Sequence, residues 1–103
     1  NLREMANDWD FSDEGRRRQS FRMKALADFE KENDRMVICD FICPTREVRE
    51  IFNADYCIWM DTIKESNYKD TDKIFEDPEN FNLRISRWDQ YSPSKIASLI
   101  KNV

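Results

Sequence analysis

The sequence predicts an α/β protein, because apolar runs alternate with segments of helical periodicity along its 103 residues. The most informative run, residues 36–43, is almost continuously apolar and ends at Pro44. A strand that is apolar on both faces is typical of a parallel sheet covered by helices on each side. Arg46 and Arg49 follow at its end, where such sheets bind ligands, and guanidinium groups suit phosphate or sulfate oxygens. The alternative is that both arginines are solvated helix residues.

Length and composition exclude several classes of protein. A chain of this size predicts one small domain. It has 21 acidic and 17 basic residues, whereas a general nucleic-acid or anionic-membrane binder needs a basic face. No apolar run approaches a transmembrane helix, and we expect no signal peptide. With three cysteines, no histidine and no C-x-x-C pair, we expect reduced thiols, no zinc site and a cytoplasmic location.

The first half of the chain predicts two helices and a strand. Residues 1–11 are polar with interspersed aromatics and indicate a loop or short helix. Ser12 followed by two acids predicts the start of a helix over 13–32. The apolar run 36–43 predicts the first strand, and 45–52 a short helix. The long helix carries one apolar stripe at helical spacing, which comprises Phe21, Ala25, Leu26 and Phe29.

The second half predicts two further strands and a final helix. Residues 55–61 are short, aromatic and branched, which favours a buried strand. Residues 62–80 are polar with little periodicity and indicate a loop, whereas 81–86 alternate as a third strand does. Ser92 as cap and Pro93 at the first position predict a helix over 93–102.

Short segments of the chain also resemble motifs of one enzyme family. Residues 1–3 resemble the end of D-G-D-N-x-R, and 11–16 resemble G-F-S-x-x-D-R. Residues 41–44 resemble F-I-S-P, 61–62 match the end of V-D-T, and 72–79 resemble I-D-x-x-Y-E-x-P-E. In this order and spacing they resemble adenylyl-sulfate kinase, which transfers the γ-phosphoryl group of ATP to the 3′-hydroxyl of adenylyl sulfate.

The resemblance implies a fold and a substrate site. The fold would be a three-layer P-loop kinase-like parallel sheet, incomplete because the first strand, the P-loop and the second strand are absent. Arginines would contact the sulfate–phosphate anhydride, a glutamine would hold a neighbouring polar position, one phenylalanine would face the adenine and another would close a lid over 62–80. The implied substrate-binding residues are Arg3, Arg16, Gln19, Phe41, Ile42, Cys43, Arg46 and Phe75. Core packing is the alternative for both phenylalanines, and surface charge for Arg3 and Arg16.

The chain departs from the family pattern in three respects. Gly15 is its only glycine, so no phosphate-cradling loop can be written, and we expect neither ATP nor Mg²⁺ to bind tightly to this segment, although the intact family enzyme would use both. Cys43 replaces a serine, and the aspartate expected to act as base is missing. The lid segment is short and lacks an arginine-rich helix. No residue is therefore assigned a catalytic or metal-binding role.

These observations leave three functions open: the substrate-side portion of an adenylyl-sulfate-kinase-like transferase, part of another P-loop small-molecule kinase, or a non-catalytic binding remnant. In related kinases the absent first strand lies between those matching 36–43 and 55–61. The two strands would then close up directly, accept a second copy at their open edges as a homodimer, or leave the segment poorly folded alone.

Overall fold

A computed structural model describes residues 1–63 and 69–101 of the chain. The chain divides into two compact units, 1–53 and 54–103. Helices and parallel strands are both present, so the predicted α/β class is confirmed at that level. No helix of the described part is long and apolar enough to cross a membrane.

The first unit contains three helices, each begun by a polar cap. Helix α1, Leu2–Ala6, lies within the segment predicted as a loop or short helix. Helix α2 spans Asp13–Glu32, the range predicted from the sequence, and its cap Ser12 accepts a hydrogen bond from the Gly15 amide at 3.2 Å. Helix α3 spans Arg46–Phe52. It begins one residue later than predicted, because residue 45 is its extended N-cap.

Helix α2 packs through a largely polar face rather than through its aromatic stripe. The buried residues of the helix are Gly15, Arg16, Gln19, Ser20 and Ala27. The Ser20 hydroxyl is fully buried and donates to the Val48 carbonyl at 2.6 Å, which joins α2 to α3. The apolar stripe predicted from the sequence is not buried, since Phe21 and Phe29 are 60% and 58% exposed.

The prediction of a first strand over 36–43 is also wrong, since the structure has no strand in this segment. Met36 and Ile38 are exposed, whereas Phe41 contacts the Phe52 ring edge-on at a centroid distance of 5.3 Å. An apolar run forms a strand only where a neighbour completes its hydrogen-bond ladder. The described residues provide no such ladder here. The gap expected between two facing strands therefore has no counterpart at this segment.

The second unit contains a two-stranded parallel sheet. Strand β1, Ile58–Met60, pairs with β2, Leu83–Ile85, with Trp59 opposite Arg84, so both strands form within the predicted segments but are shorter. Ile85 is 2% exposed and is the buried apolar residue among the described residues of this unit. At the end of β1 the amide of Asp61 donates to the Ile85 carbonyl at 2.8 Å.

The connections of the second unit are partly helical. Helix α4, Lys69–Ile74, lies within the segment predicted as the lid loop 62–80, of which 64–68 are outside the described residues. A short 3₁₀ helix, Trp88–Gln90, precedes helix α5, Pro93–Ile100. Helix α5 begins at the proline that predicted its start. The predicted end at 102 lies outside the described residues.

Candidate functional site

A pocket of about 310 Å³ lies in the first unit. It is bounded by the N-terminus of α1, the loop before α2, one face of α2 and the segment before α3. Six of the eight predicted substrate-binding residues line it, namely Arg3, Arg16, Gln19, Phe41, Ile42 and Cys43. The end of the segment that forms no strand, residues 40–43, thus supplies one wall of this pocket.

Arg16 is fixed by the loop that precedes its helix. Its side chain is buried, only 8% exposed, and Nε donates to the Phe11 carbonyl at 2.9 Å. Its guanidinium carbon lies 5.5 Å from the centroid of the Phe11 ring, within cation–π range. A buried guanidinium held in this way keeps a fixed direction, which favours recognition of a fixed anion.

Arg3 reaches the same aromatic ring from helix α1. Its guanidinium carbon lies 4.4 Å from the Phe11 centroid, and Nη1 donates to the carbonyls of Asp8 and Asp10 at 3.1 and 3.3 Å. Burial, and to a smaller extent the nearby charge of Arg16, lowers the pKa of Arg3 from its ordinary value, while Asp8 opposes the shift. An arginine nevertheless stays cationic at neutral pH. Two like charges on one ring make a bound anion favourable, because it would offset their repulsion.

The loop between α1 and α2 is held by an ion-pair network centred on Asp8. Its carboxylate accepts from Arg18 Nε at 3.0 Å and from Arg22 Nη2 at 2.7 Å, and these bonds hold the pKa of Asp8 well below its usual range. Hydrogen bonds from Ser12, and then from Arg18, lower the pKa of Asp10 to about 2. Both carboxylates are therefore ionised at neutral pH, and the loop that carries Phe11 is tied to α2.

Gly15 allows this loop to approach the helix closely. A Cβ atom at that position would lie 2.2 Å from the Asp10 carbonyl oxygen and 2.6 Å from its Cγ. No side chain fits such a contact without movement of the loop. The only glycine in the sequence is thus used where the backbone packs against the helix.

Gln19 is the polar residue beside the arginines. It is 7% exposed, and its Oε1 accepts from Arg22 Nη2 at 3.0 Å and from Nε at 3.3 Å. Because Arg22 occupies the carbonyl oxygen, the amide NH₂ group is the part of Gln19 that a ligand would meet as a donor.

The opposite wall is shaped by strained backbone at Cys43. Its φ of 46° is in the left-handed region, which is uncommon for a residue with a side chain. Arg49 fixes this turn, because its Nε donates to the Cys43 carbonyl at 3.0 Å and its Nη2 to the Pro44 carbonyl at 3.1 Å. Arg49, predicted as an oxyanion ligand at a strand end, is therefore a positioning residue for the wall.

Two predicted site residues are not among those that line the pocket. Arg46 is exposed on the first turn of α3. Phe75 belongs to the second unit and is 38% exposed. Of the cysteines, Cys39 is half-buried, and burial raises the pKa of its thiol, which disfavours the reactive thiolate.

Sequence reasoning missed two residues that shape the site. Phe11 lies in the motif-like segment 11–16 but was not among the predicted site residues. An aromatic residue directly before a helix cap and near two arginines could have indicated its role in the site. Asp40 lines the pocket and brings a negative charge to its wall. No pattern in the sequence singled it out.

The pocket therefore combines two cationic groups, an aromatic ring, an amide and apolar walls, which together suit a small anion attached to a flat ring system. The described residues contain no group of three or more His, Cys, Asp or Glu side chains that could hold a metal ion. Comparisons of the chain with models of protein families, with curated proteins and with solved structures yield no match.

Proposed function

We propose that the pocket of residues 1–53 binds adenylyl sulfate, as the acceptor-substrate portion of an adenylyl-sulfate-kinase-like transferase. The observation that carries the proposal is that six residues implied by a motif resemblance line one pocket although they are up to 40 positions apart in the chain. The intact enzyme would belong to the P-loop kinases and act in the cytoplasm. It would use ATP and Mg²⁺, bound by a phosphate-binding loop that these 103 residues do not contain.

The roles of the residues follow from their chemistry. Arg3 uses Nη1 on two backbone carbonyls, which leaves the donors of its Nε and Nη2 atoms for the sulfate–phosphate group. Arg16, held by the Phe11 carbonyl, would supply the second positive charge. Phe41 and Ile42 would offer apolar surface to the adenine. The volume is at the lower end of the range for small-molecule pockets, which is consistent with a single nucleotide.

Isothermal titration calorimetry of the chain with adenylyl sulfate tests the proposal. We expect Arg3→Ala to weaken binding roughly 10-fold or more, because a hydrogen bond to a charged group contributes about 1.5–3 kcal/mol. Arg46→Ala is the matched control, since Arg46 is exposed and does not line the pocket. Asp40→Asn should strengthen binding a few-fold by removing a negative charge from the wall.

Two results would contradict the proposal. Absence of heat with the native chain would remove adenylyl sulfate as ligand, and equal losses in Arg3→Ala and Arg46→Ala would remove the pocket as its site. Titrations with AMP and with inorganic sulfate separate the alternatives. Equal affinity for AMP would show that the sulfate is not recognised and would favour another small-molecule kinase.

A further inference from the structure

Helix α2 presents an apolar row on the face opposite its buried one. Phe21, Ala25 and Phe29 recur every four residues, and the phenylalanines are more than half exposed. The pocket-side row, Gln19, Met23 and Ala27, has the same spacing but is offset by two residues, which is about 200° around a helix. The exposed row is therefore not used by the packing of the first unit.

We propose that this row is the contact of a symmetric homodimer in which α2 pairs antiparallel with α2 of a second copy. The argument is the charge and shape complementarity of the row with itself. Phe21 and Phe29 are each four residues from Ala25, and Arg18 and Glu32 are each seven residues from it on the same face. A twofold axis at Ala25 places each phenylalanine against the other and each Arg18 against Glu32 of the second copy.

The groups required for this pairing are accessible. The Arg18 side chain is 42% exposed, and Glu32 is exposed at the last residue of α2. Arg18 already donates to Asp8 and Asp10, but a guanidinium has five donors. The alanine on the axis is small and allows the two helices to approach closely. This contact differs from the pairing at sheet edges expected from the sequence, and it does not rest on the proposed ligand.

The size of the row sets the strength of the dimer. The exposed parts of Phe21 and Phe29 amount to roughly 250 Å² per copy. A stable interface buries about 800 Å² per partner. The dimer should therefore be reversible and depend on protein concentration, with dissociation in the micromolar range or above.

Sedimentation velocity over a series of protein concentrations, with the full chain, tests the proposal. We expect a monomer–dimer equilibrium that Phe21→Ser with Phe29→Ser shifts to monomer and that Glu32→Arg weakens at least several-fold, because Arg18 would then face a like charge. Since all three positions are exposed, circular dichroism should show unchanged helix content. Trp88→Ser, which removes an exposed aromatic residue of the second unit, is the matched control and should leave the equilibrium unchanged.

Cysteine cross-linking tests the position of the axis. Ala25→Cys should give a disulfide-linked dimer in which mass spectrometry finds the two introduced thiols joined, whereas Ala97→Cys on the exposed surface of α5 should not. A monomer at every concentration would overturn the proposal. So would a dimer that persists in the double phenylalanine variant, since that result would place the interface elsewhere, as at the sheet edges.

Discussion

Replacing Gly15 by alanine tests the contact that holds the loop of Phe11 on helix α2. The new Cβ would lie 2.2 Å from the Asp10 carbonyl oxygen and 2.7 Å from its carbonyl carbon, distances that real Cβ atoms do not show. The nearest obstacle is the Asp10 backbone, and the Asp10 side-chain Cγ is a second one at 2.6 Å. The loop must therefore move away by on the order of 1 Å, which disturbs the hydrogen bonds that Asp10 forms with Ser12 and Arg18.

The magnitude follows from two opposing effects. Overpacking typically costs about 1–3 kcal/mol. Alanine gains about 1 kcal/mol over glycine within a helix. We expect a net loss of up to about 2 kcal/mol in the free energy of unfolding, and a fall of up to roughly 15 °C in Tm for a chain of this size. Anion binding should weaken as well, because Arg3 and Arg16 both lie against the displaced Phe11.

Urea denaturation followed by far-ultraviolet circular dichroism measures the loss of stability, and calorimetry measures the affinity. Glu14→Ala is the matched control, since that side chain is 79% exposed and should change stability by no more than about 0.5 kcal/mol. If Gly15→Ala had the stability and the affinity of the native chain, the close approach of Asp10 to α2 would not exist in solution, and the account of the loop would be wrong.

Two other changes test the packing and the charge network of the first unit. Ser20→Ala should lower the free energy of unfolding by about 1–3 kcal/mol, because the buried Val48 carbonyl loses its donor; an unchanged urea midpoint would contradict the 2.6 Å bond. The pKa values of Asp8 and Asp10 are lower in the folded chain than the ordinary value of 3.8 that they have in the unfolded chain. As the pH falls, the unfolded chain therefore binds protons at these groups before the folded chain does. The stability that the two carboxylates contribute is complete above about pH 4 and is lost as the pH falls further. Urea midpoints measured from pH 7 downward should fall in the native chain and fall less in Asp8→Asn. If the midpoints of the two proteins fell equally with pH, the ion-pair network would not be the cause of the loss.

Local signals in the sequence were sufficient to locate α2 and α5, whereas α4 lies in a segment that was predicted as a loop. Ser12 with two following acids located the start of α2, and the pair Ser92–Pro93 located the start of α5. These signals work because a cap satisfies backbone donors within a few residues of itself. The positions of β1 and β2 were also predicted, since short branched and aromatic runs favour strands, although their lengths were overestimated.

The failures share one physical cause, which is that contacts with distant parts of the chain decide which apolar segment forms a strand and which helix face is buried. Residues 36–43 have the composition of a central strand, but a strand depends on a partner that composition does not reveal. The stripe of Phe21 and Phe29 has helical period, but α2 has a second row with the same period, and tertiary packing buried that one through Ser20 and Ala27. The grouping of Arg3, Arg16 and Phe41 came from the motif order rather than from periodicity, and Asp40 had no signal of either kind.

The turn at Cys43 has a consequence for which side chains that position tolerates. The main chain sets the shape of this turn, and Arg49 holds it through the Cys43 and Pro44 carbonyls, so the path of the backbone there does not rest on a contact of the Cys43 side chain. Replacing the Cys43 thiol by a hydroxyl group or by hydrogen would change the chemical group at the pocket wall while leaving the backbone turn in place. The shape of the backbone and the chemical group that it presents can thus vary independently at this one residue.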